Sequence, residues 1–342
     1  MNEKKLDFSW DICGHHKQVA FLQSAITQQA VVHGYLFVGP AHVGKHTVAR
    51  AFIQSLLCHG SSGKTPCGSC AACTQFERGI HSDVYTVERL TDPKTQKLKS
   101  NISIDQIRDL KSKLQQGTLL GGYKVALIPE AELLNANASN ALLKALEEPM
   151  GKTLIILIAS SFQSVLPTIA SRCQVVQFSP VANRELEACL ADKTDANTAR
   201  QWARVAAGHP GLAFNYIENP HLQDAYTHDV SWLLQSFSLP LYKRLSGVCD
   251  LFEWSTDERR NQQQLERIMS HWQYLLRDCL LFQSDNRALL VNGNLTDQMQ
   301  AVTQKYSTNR LIDFINRLNE SARLFSANIS SKNIIENFLI HI

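Results

Sequence analysis

The sequence predicts an α/β domain, a parallel sheet flanked by helices, followed by an entirely helical second half. Short, almost uninterrupted apolar runs alternate with amphipathic stretches as far as residue 178, as is typical of parallel strands that are buried on both faces. A glycine-bounded loop follows the first of these runs and precedes a helix, an arrangement found in nucleotide-binding α/β folds. After Ser179 and Pro180 the strand pattern stops and only helical periodicity continues.

The first half alternates between the two kinds of element. Branched and aromatic residues dominate the predicted strands, which are 35–38, 83–87, 124–128, 153–159 and 174–178. The predicted helices between them are 11–28, 47–57, 104–116 and 138–146. Within the third helix, Ile107, Leu110 and Leu114 recur at three- and four-residue steps and should face the sheet. A cysteine-rich insert at 58–73 interrupts the alternation.

The second half predicts two groups of helices. Residues 183–190 and 194–207 form a helical pair that the glycines and proline of GHPG close at 208–211. From about residue 228 the pattern is again helical. Its clearest helix begins at Thr256, a suitable N-cap, and carries apolar residues at helical spacing from Leu265 to Leu280.

Composition limits the function classes. Of 342 residues, 44% are hydrophobic and 19% are charged, which fits a globular chain and excludes a disordered one. The 34 basic and 31 acidic residues give a net charge of +3, too even to indicate a polyanion partner by itself. The first residues lack the apolar segment of an export signal, and the longest apolar run, Leu154–Ala159, is too short to span a membrane. We therefore expect a cytoplasmic protein.

The segment GPAHVGKH, which begins at Gly39, is a candidate phosphate-binding loop. Its glycines, Gly39 and Gly44, allow backbone N–H groups to surround phosphate oxygens, and Lys45 can neutralise their charge. The next position is normally Ser or Thr, whose hydroxyl binds Mg²⁺. Here it is His46, a softer ligand than the oxygen atoms that Mg²⁺ prefers. Thr47 lies about 100° further around the helix and is no direct substitute.

The other half of such a site should follow the strand 124–128. An acidic residue normally holds the metal there, and a glutamate next to it orients the attacking water. Pro129 occupies the metal-holding position and only Glu130 remains. Two independent losses on the metal side predict that ATP hydrolysis is lost. Binding of ATP or ADP without turnover stays open, as does a loop that serves only to cap its helix.

Four cysteines have the spacing of a metal site, C-x8-C-x2-C-x2-C. They are Cys58, Cys67, Cys70 and Cys73. Two overlapping C-x2-C steps can chelate one tetrahedral ion, with the first cysteine as fourth ligand. Because four sulfur ligands leave no open position, we predict a structural zinc; the alternative is four thiols without a metal. The remaining five lie among apolar neighbours and are expected to be buried thiols, with no disulfide framework: Cys13, Cys173, Cys189, Cys249 and Cys279.

An arginine, Arg172, ends the segment VLPTIASRC just before the last predicted strand. A short helix that ends in an arginine at the edge of a sheet can direct the guanidinium group outward. Facing the nucleotide of another subunit, this group would stabilise charge on the γ-phosphate. The residue types alone favour a surface or salt-bridging arginine.

Taken in order, these segments resemble the AAA+ clamp-loader family. The matching pieces are HGYLFVGP at 33–40, the degenerate phosphate loop, the cysteine knuckle, ISIDQIRDL at 102–110, KVALIPEAELLNANASNALLKALEEP at 124–149 and VLPTIASRC at 165–173. The pair NALLKALEEP and SRC is highly specific. The later GHPGLA at 208–213 is similar to a small-domain motif of the family in which the ATPase subunits carry a nucleotide-contacting arginine. No arginine occurs there in this chain.

The resemblance implies three domains. They are an AAA+ P-loop domain at 1–179, a small helical lid domain at 180–225 and a helical collar domain at 226–342. It also implies a five-member ring of three gamma or tau motor subunits, a delta subunit and an end subunit without its own ATPase. In the DNA polymerase III holoenzyme the motors hydrolyse ATP to load the sliding clamp on primed DNA during replication. The end subunit, with its arginine matched by Arg172, completes a neighbour's ATP site. Ser160 or Ser161 matches the family's sensor position, with the register open.

Three other interpretations conflict with particular residues. An active motor subunit of the same loader conflicts with His46 and Pro129. A stand-alone DNA-binding protein with a zinc ribbon conflicts with the compact knuckle, which lacks a neighbouring aromatic or basic cluster. A self-contained small-molecule kinase conflicts with the missing metal ligands.

Overall fold

The structure, a computed structural model, describes residues 6–60, 63–92, 98–255, 258–323 and 330–342. The strands are β1 (Asp7–Phe8), β2 (Gly34–Val38), β3 (Lys64–Thr65), β4 (Val84–Thr86), β5 (Lys124–Ile128), β6 (Thr153–Ala159) and β7 (Gln174–Gln177). The helices of the first half are α1 (His16–Thr27), α2 (Lys45–Leu57), α3 (Ala71–Glu77), α4 (Ile104–Gln115), α5 (Ala136–Glu147) and α6 (Pro167–Ala170). None of the helices within these ranges has the length and apolar composition of a membrane span.

The main sheet has five parallel strands in the order β4-β5-β6-β2-β7. Parallel neighbours place their carboxyl ends at one edge of the sheet, and the register pairs Val38 with Ala159 and Ile128 with Leu157. The loop after β2, Pro129 after β5 and Ser160 after β6 therefore lie at the same edge. This topology brings the predicted site together from segments that are far apart in the chain.

Both faces of the sheet are covered, as the continuous apolar strands predict. On one face, buried residues of α4 and α5 pack against alternate strand residues such as Leu36 and Ile155. On the other, residues of α1 and α2 pack against the intervening ones, such as Phe37 and Ile156. The predicted α/β fold is confirmed, with Ile107, Leu110 and Leu114 buried as expected.

Local chemistry sets the helix starts. Ser103 and Gln106 form a reciprocal capping box at the start of α4, and the side chain of Asn135 accepts a hydrogen bond from the Ala138 N–H at the start of α5. The first helix starts at His16 and not at Asp11 as predicted. Gly14 and His15 have φ angles of 75° and 57°, which a right-handed helix cannot contain.

The second half is entirely helical within the described residues. Its helices are α7 (Asn183–Ala191), α8 (Ala196–Val205), α9 (Pro210–Glu218), α10 (Pro220–Ser236), α11 (Leu241–Ser246), α12 (Val248–Leu251), α13 (Glu258–Gln283), α14 (Thr296–Lys305), α15 (Thr308–Arg323) and α16 (Ser331–Ile340). The long helix α13 packs against α10, α14, α15 and α16 through fully buried residues such as Trp272. The N-cap predicted for this helix, Thr256, lies outside the described residues.

The chain divides into two compact units. One contains residues 1–189 and 207–212, and the other contains 190–206 and 213–342. The first unit holds the sheet, and the second is a helical body. The division into three domains at residues 179 and 225 stays a prediction.

The cysteines outside the knuckle do not all behave as predicted. Cys13 and Cys189 form a disulfide with a Cα–Cα distance of 5.9 Å, although we expected thiols. Cys13 precedes α1 and Cys189 lies on α7, 176 residues later, so only the tertiary fold brings them together. Of the others, Cys279 is a buried thiol as predicted, Cys173 is half-buried, and Cys249 is exposed.

Candidate functional site

The phosphate loop has the predicted strand–loop–helix setting. Gly39 follows β2, and a β-carbon there would lie 2.3 Å from the carbonyl oxygen of Phe178, so only glycine fits. Gly44 directly precedes α2 and has φ 102°, which also favours glycine. The loop therefore retains the backbone path that would let its N–H groups face a phosphate.

Lys45 turns back onto this loop. Its ammonium group donates hydrogen bonds to the carbonyl oxygens of Gly39 and Pro40, and the residue is only 8% exposed. Burial lowers the pKa of Lys45, and the charge of Glu132 opposes that shift. A phosphate would have to compete with two carbonyl oxygens for this cation.

Two further carbonyl groups of the phosphate loop accept hydrogen bonds from other segments of the first unit. The His15 ring nitrogen Nε2 donates to the carbonyl oxygen of Val43 at 2.6 Å, which fixes the proton on that nitrogen. The backbone N–H of Gly211, in the GHPGLA segment, donates to the carbonyl oxygen of His42 at 2.8 Å. Both contacts connect the loop to other segments of the first unit.

Two positions that would normally bind Mg²⁺ carry other residues, as the sequence indicates. His46 lies in the first turn of α2, where desolvation and the charge of Arg50 lower the pKa of its imidazole; the ring is therefore neutral at pH 7. Pro129 directly follows β5, at the carboxyl edge of the sheet. Neither residue offers the hard oxygen that Mg²⁺ requires.

The glutamate of the motif, Glu130, is present, but its carboxylate is bound by another side chain. Arg89 donates to both of its carboxylate oxygens, each at 2.8 Å. A bidentate pair of this kind is among the strongest side-chain hydrogen-bond arrangements. The only remaining acid of the motif is therefore directed at a guanidinium group. Sequence reasoning missed Arg89, because it lies 41 residues earlier and carries no local signal.

Glu132 was also missed by sequence reasoning, although it lies close to the loop lysine. Its Oε1 accepts a hydrogen bond from the backbone N–H of Ser160 at 3.1 Å. Its Oε2 is buried and has no hydrogen-bond partner among the described residues. Ser160 directly follows β6, whereas the Ser161 hydroxyl caps the next turn by accepting from the Ser164 N–H at 3.2 Å. Ser160 is thus the serine that lies at the edge of the sheet.

The cysteine knuckle is a compact cluster. The four sulfur atoms, those of Cys58, Cys67, Cys70 and Cys73, lie within 4.8 Å of one another. A tetrahedral zinc with Zn–S bonds of about 2.3 Å places its sulfurs about 3.8 Å apart, so the donor set and its spacing fit this ion. Cys58 directly follows α2, and Gly63 and Gly68 have positive φ angles of 80° and 71°.

Backbone N–H groups prepare two of these thiols for a cation. Hydrogen bonds from the backbone of Cys70 and Ser69 lower the pKa of the Cys67 thiol to about 6, so its thiolate is accessible near neutral pH. Cys58 Sγ accepts from the N–H groups of Gly60 and Cys67 at 3.4 and 3.3 Å. A β-carbon at Gly60 would lie 2.6 Å from Cys67 Sγ. The cluster can therefore hold one metal ion.

Arg172 lies in the turn between α6 and the edge strand β7. Its Nη2 is 2.6 Å from Oε1 of Glu147, the last residue of α5, and its Nη1 donates to the carbonyl oxygen of Thr168 at 2.9 Å. The Arg172 side chain is 37% exposed and the Glu147 side chain 45%. The guanidinium group is thus oriented at the surface and not buried within its own fold.

Comparison with known proteins shows which proteins the chain resembles. Residues 14–182 match the family described as DNA polymerase III, delta subunit. The chain is 42% identical over 141 residues to DNA polymerase III subunit delta' of Pseudomonas aeruginosa, covering 41% of each chain. It is 26% identical over 326 residues to subunit delta' of Bacillus subtilis, covering 93% of each. The chain is thus similar to the delta-subunit family of DNA polymerase III over residues 14–182 and to a delta' subunit over most of its length.

A solved structure has a similar fold. The crystal structure of a gamma subunit-related protein of DNA polymerase III from Thermotoga maritima matches with a TM-score of 0.51 and 18% identity. The match covers 95% of this chain and 98% of that chain. In the Pseudomonas comparison the chain spans less than half of the relative's length, so we treat the activity and partners of a delta-prime subunit as proposals for this chain.

Proposed function

We propose that this chain is the end subunit of a DNA polymerase III clamp loader, without an ATPase of its own, and that Arg172 acts as an arginine finger in a neighbour's ATP site. Its partners would be gamma or tau motor subunits and a delta subunit in a five-member ring. Through them it would act on the sliding clamp and primed DNA. The metal of the cysteine knuckle would be a structural zinc.

The position of Arg172 carries this proposal. Its carbonyl oxygen would lie 3.2 Å from a β-carbon at Gly34, so it adjoins the amino end of β2, whereas the phosphate loop follows the carboxyl end. A five-residue strand separates these ends by about 13 Å. Because Glu147 holds the side chain at that amino end, Arg172 cannot reach its own phosphate loop. A nucleotide that it contacts would belong to another molecule.

The phosphate loop supports the same conclusion. Lys45 is bound to loop carbonyls, Glu130 is bound to Arg89, and His46 and Pro129 offer no metal oxygen. Phosphoryl transfer needs Mg²⁺ to neutralise charge on the β- and γ-phosphates. The alternative, an active gamma- or tau-type motor, would require all of these contacts to rearrange.

The isolated chain is expected to release no phosphate from Mg·ATP above the level of its own Lys45→Ala variant. The loop lysine supplies a large share of catalysis in working P-loop enzymes, so this variant reports whether any hydrolysis arises at the loop. The measurement is phosphate release at saturating ATP with purified protein. A wild-type rate ten times that of the variant would favour the active motor instead.

Assembly provides a direct test of the partner proposal. The chain should co-purify with motor and delta subunits in a complex that contains one copy of it. Native mass spectrometry gives this stoichiometry. Failure to form a complex with either subunit would refute the proposal, whatever the ATPase assay shows.

A further inference from the structure

The first unit contains a disulfide that lies near its surface. Cys13, ahead of α1, is bonded to Cys189, on α7, with a Cα–Cα distance of 5.9 Å. Both cysteines are half-buried, and the nearby residues Asp11 and Ala188 are exposed. Disulfides near the surface exchange with external thiols more readily than disulfides that are sealed in a core. The position of this bond therefore favours a reversible bond over a permanent one.

The two segments that the disulfide joins also pack against each other without it. Gly14 lies so close to Val181 that a β-carbon at Gly14 would be 2.6 Å from the Val181 Cγ2 atom. The ring nitrogen Nε2 of His16 contacts Oε1 of Glu185. Because these contacts are not covalent bonds to sulfur, they remain when the disulfide is reduced. The two cysteines should then stay neighbours, and the bond can form again without refolding of the chain.

The segment that carries Cys13 also supports the phosphate loop. His15, two residues after Cys13, donates a hydrogen bond to the carbonyl oxygen of Val43. Its ring packs edge-on against Phe178, with ring centroids 4.9 Å apart, and the carbonyl oxygen of Phe178 adjoins Gly39 at the start of the loop. A covalent restraint on Cys13 therefore acts on His15 and, through His15, on the loop.

We propose that Cys13 and Cys189 form a reversible redox switch that sets the mobility of the phosphate loop. In the oxidised chain the covalent bond fixes the backbone beside His15, and His15 holds the carbonyl group of Val43. In the reduced chain only non-covalent contacts hold the segment ahead of α1 to α7, so the loop moves more freely. This inference goes beyond the proposed function and does not depend on it, because both cysteines and the loop belong to this chain.

The switch needs a dithiol as its reductant and a small disulfide as its oxidant. One thiolate of the dithiol attacks a sulfur of the Cys13–Cys189 bond and forms a mixed disulfide, while the other cysteine leaves as a thiolate and takes up a proton. The second thiol of the reductant then attacks the mixed disulfide. The reductant departs as an internal disulfide, two electrons poorer, and both cysteines are left as thiols. Glutathione disulfide reverses the reaction and leaves as two molecules of glutathione.

The first test follows the bond itself in the full chain. The protein is equilibrated in mixtures of reduced glutathione and glutathione disulfide, quenched with acid and alkylated, and the peptide pair that links Cys13 to Cys189 is quantified by mass spectrometry. The linked fraction should rise from below about one tenth to above about nine tenths across the mixtures, and circular dichroism should show a folded chain at both ends. The four knuckle thiols lie in other peptides and do not enter this fraction.

Two outcomes of this titration would overturn the proposal. A bond that persists in the most reducing mixture, or whose reduction unfolds the chain, would be a structural disulfide. The absence of the linked peptides in the most oxidising mixture would mean that the two thiols do not pair.

The second test measures the mobility of the loop by hydrogen exchange in peptides that cover residues 39–46. These amides should exchange at least about threefold faster in the reduced wild type than in the oxidised wild type. The double variant Cys13→Ser with Cys189→Ser should exchange at the fast rate in both mixtures, which also controls for oxidation of the knuckle. Cys249→Ser should behave as the wild type, since Cys249 is exposed and free.

Equal exchange rates in the two forms of the wild type would refute a switch that acts on the loop. So would a double variant whose loop still responds to the glutathione mixtures, because other thiols would then cause the effect. Neither test uses a partner subunit, so failure of the clamp-loader proposal and failure of the redox switch are separate results.

Discussion

Changing Arg172 to alanine is expected to silence one ATP site in the assembled clamp loader while leaving assembly intact. An arginine finger raises the rate of phosphoryl transfer about 10³–10⁵-fold. A loader with three motor sites of which one depends on this chain should therefore lose about one third of its fast phosphate burst. The fast phase that remains should keep its rate. The measurement is a single-turnover burst with the sliding clamp and primed DNA present.

Two further variants make this test specific. Arg172→Lys keeps a positive charge but not the planar fork of the guanidinium group, so it should restore only part of the missing amplitude. Arg108→Ala removes an arginine on α4 that is 67% exposed and lies 3.4 Å from Asp105, and it should leave the burst unchanged. A full burst from an assembled complex that carries Arg172→Ala would refute the finger role.

Replacing Glu147 should have a smaller effect on the burst than replacing Arg172. Its carboxylate lies 2.6 Å from the Arg172 guanidinium, and both groups are partly exposed, so the pair itself contributes little stability. Its role would be orientation. Glu147→Gln should slow the fast phase at the dependent site several-fold without removing it. An effect as large as that of Arg172→Ala would mean that the glutamate acts in some other way.

The sequence predicts those parts of the molecule whose signal is local. The strands 124–128 and 153–159 have the predicted limits, because continuous apolar runs bounded by turn residues define a buried parallel strand by themselves. The same holds for the loop at Gly39 and for the knuckle, where ligand spacing is a property of adjacent residues. Side chains close in sequence are close in any fold.

The contacts that decide the chemistry of the site are not local. The bidentate ion pair between Arg89 and Glu130 joins residues 41 positions apart. The disulfide joins cysteines 176 positions apart. Nothing in the type or spacing of these residues distinguishes them from unpaired ones. Only the order of strands in the sheet places β5 beside β4 and so brings Arg89 to Glu130.

The helical half shows the same limit more strongly. Apolar periodicity predicts that α13 is buried along one face, and Trp272 confirms it. Periodicity treats His271, the preceding residue, as an ordinary helix position. Yet His271 is 3% exposed and bonds to Asp229 on another helix. A buried polar network is invisible to patterns that count apolar residues.

Removing one knuckle cysteine is expected to have the second large effect. In Cys67→Ser the zinc content of freshly purified protein should fall from about one equivalent to well under half, because a hydroxyl is a much poorer zinc ligand than a thiolate. Metal binding to such sites adds directly to folding free energy. A loss of about 3 kcal/mol would lower the melting temperature by about 6–12 °C.

Loss of the knuckle metal should also destabilise the phosphate loop, because helix α2 connects the two. Helix α2 starts at Lys45 and ends against Cys58, so the metal would fix one end of the helix whose other end carries the loop. Cys249→Ser is the matched control, since Cys249 is exposed and free, and it should change neither zinc content nor melting temperature. Zinc below about half an equivalent in the wild type, or equal melting temperatures for all three proteins, would show that the four thiols hold no structural metal.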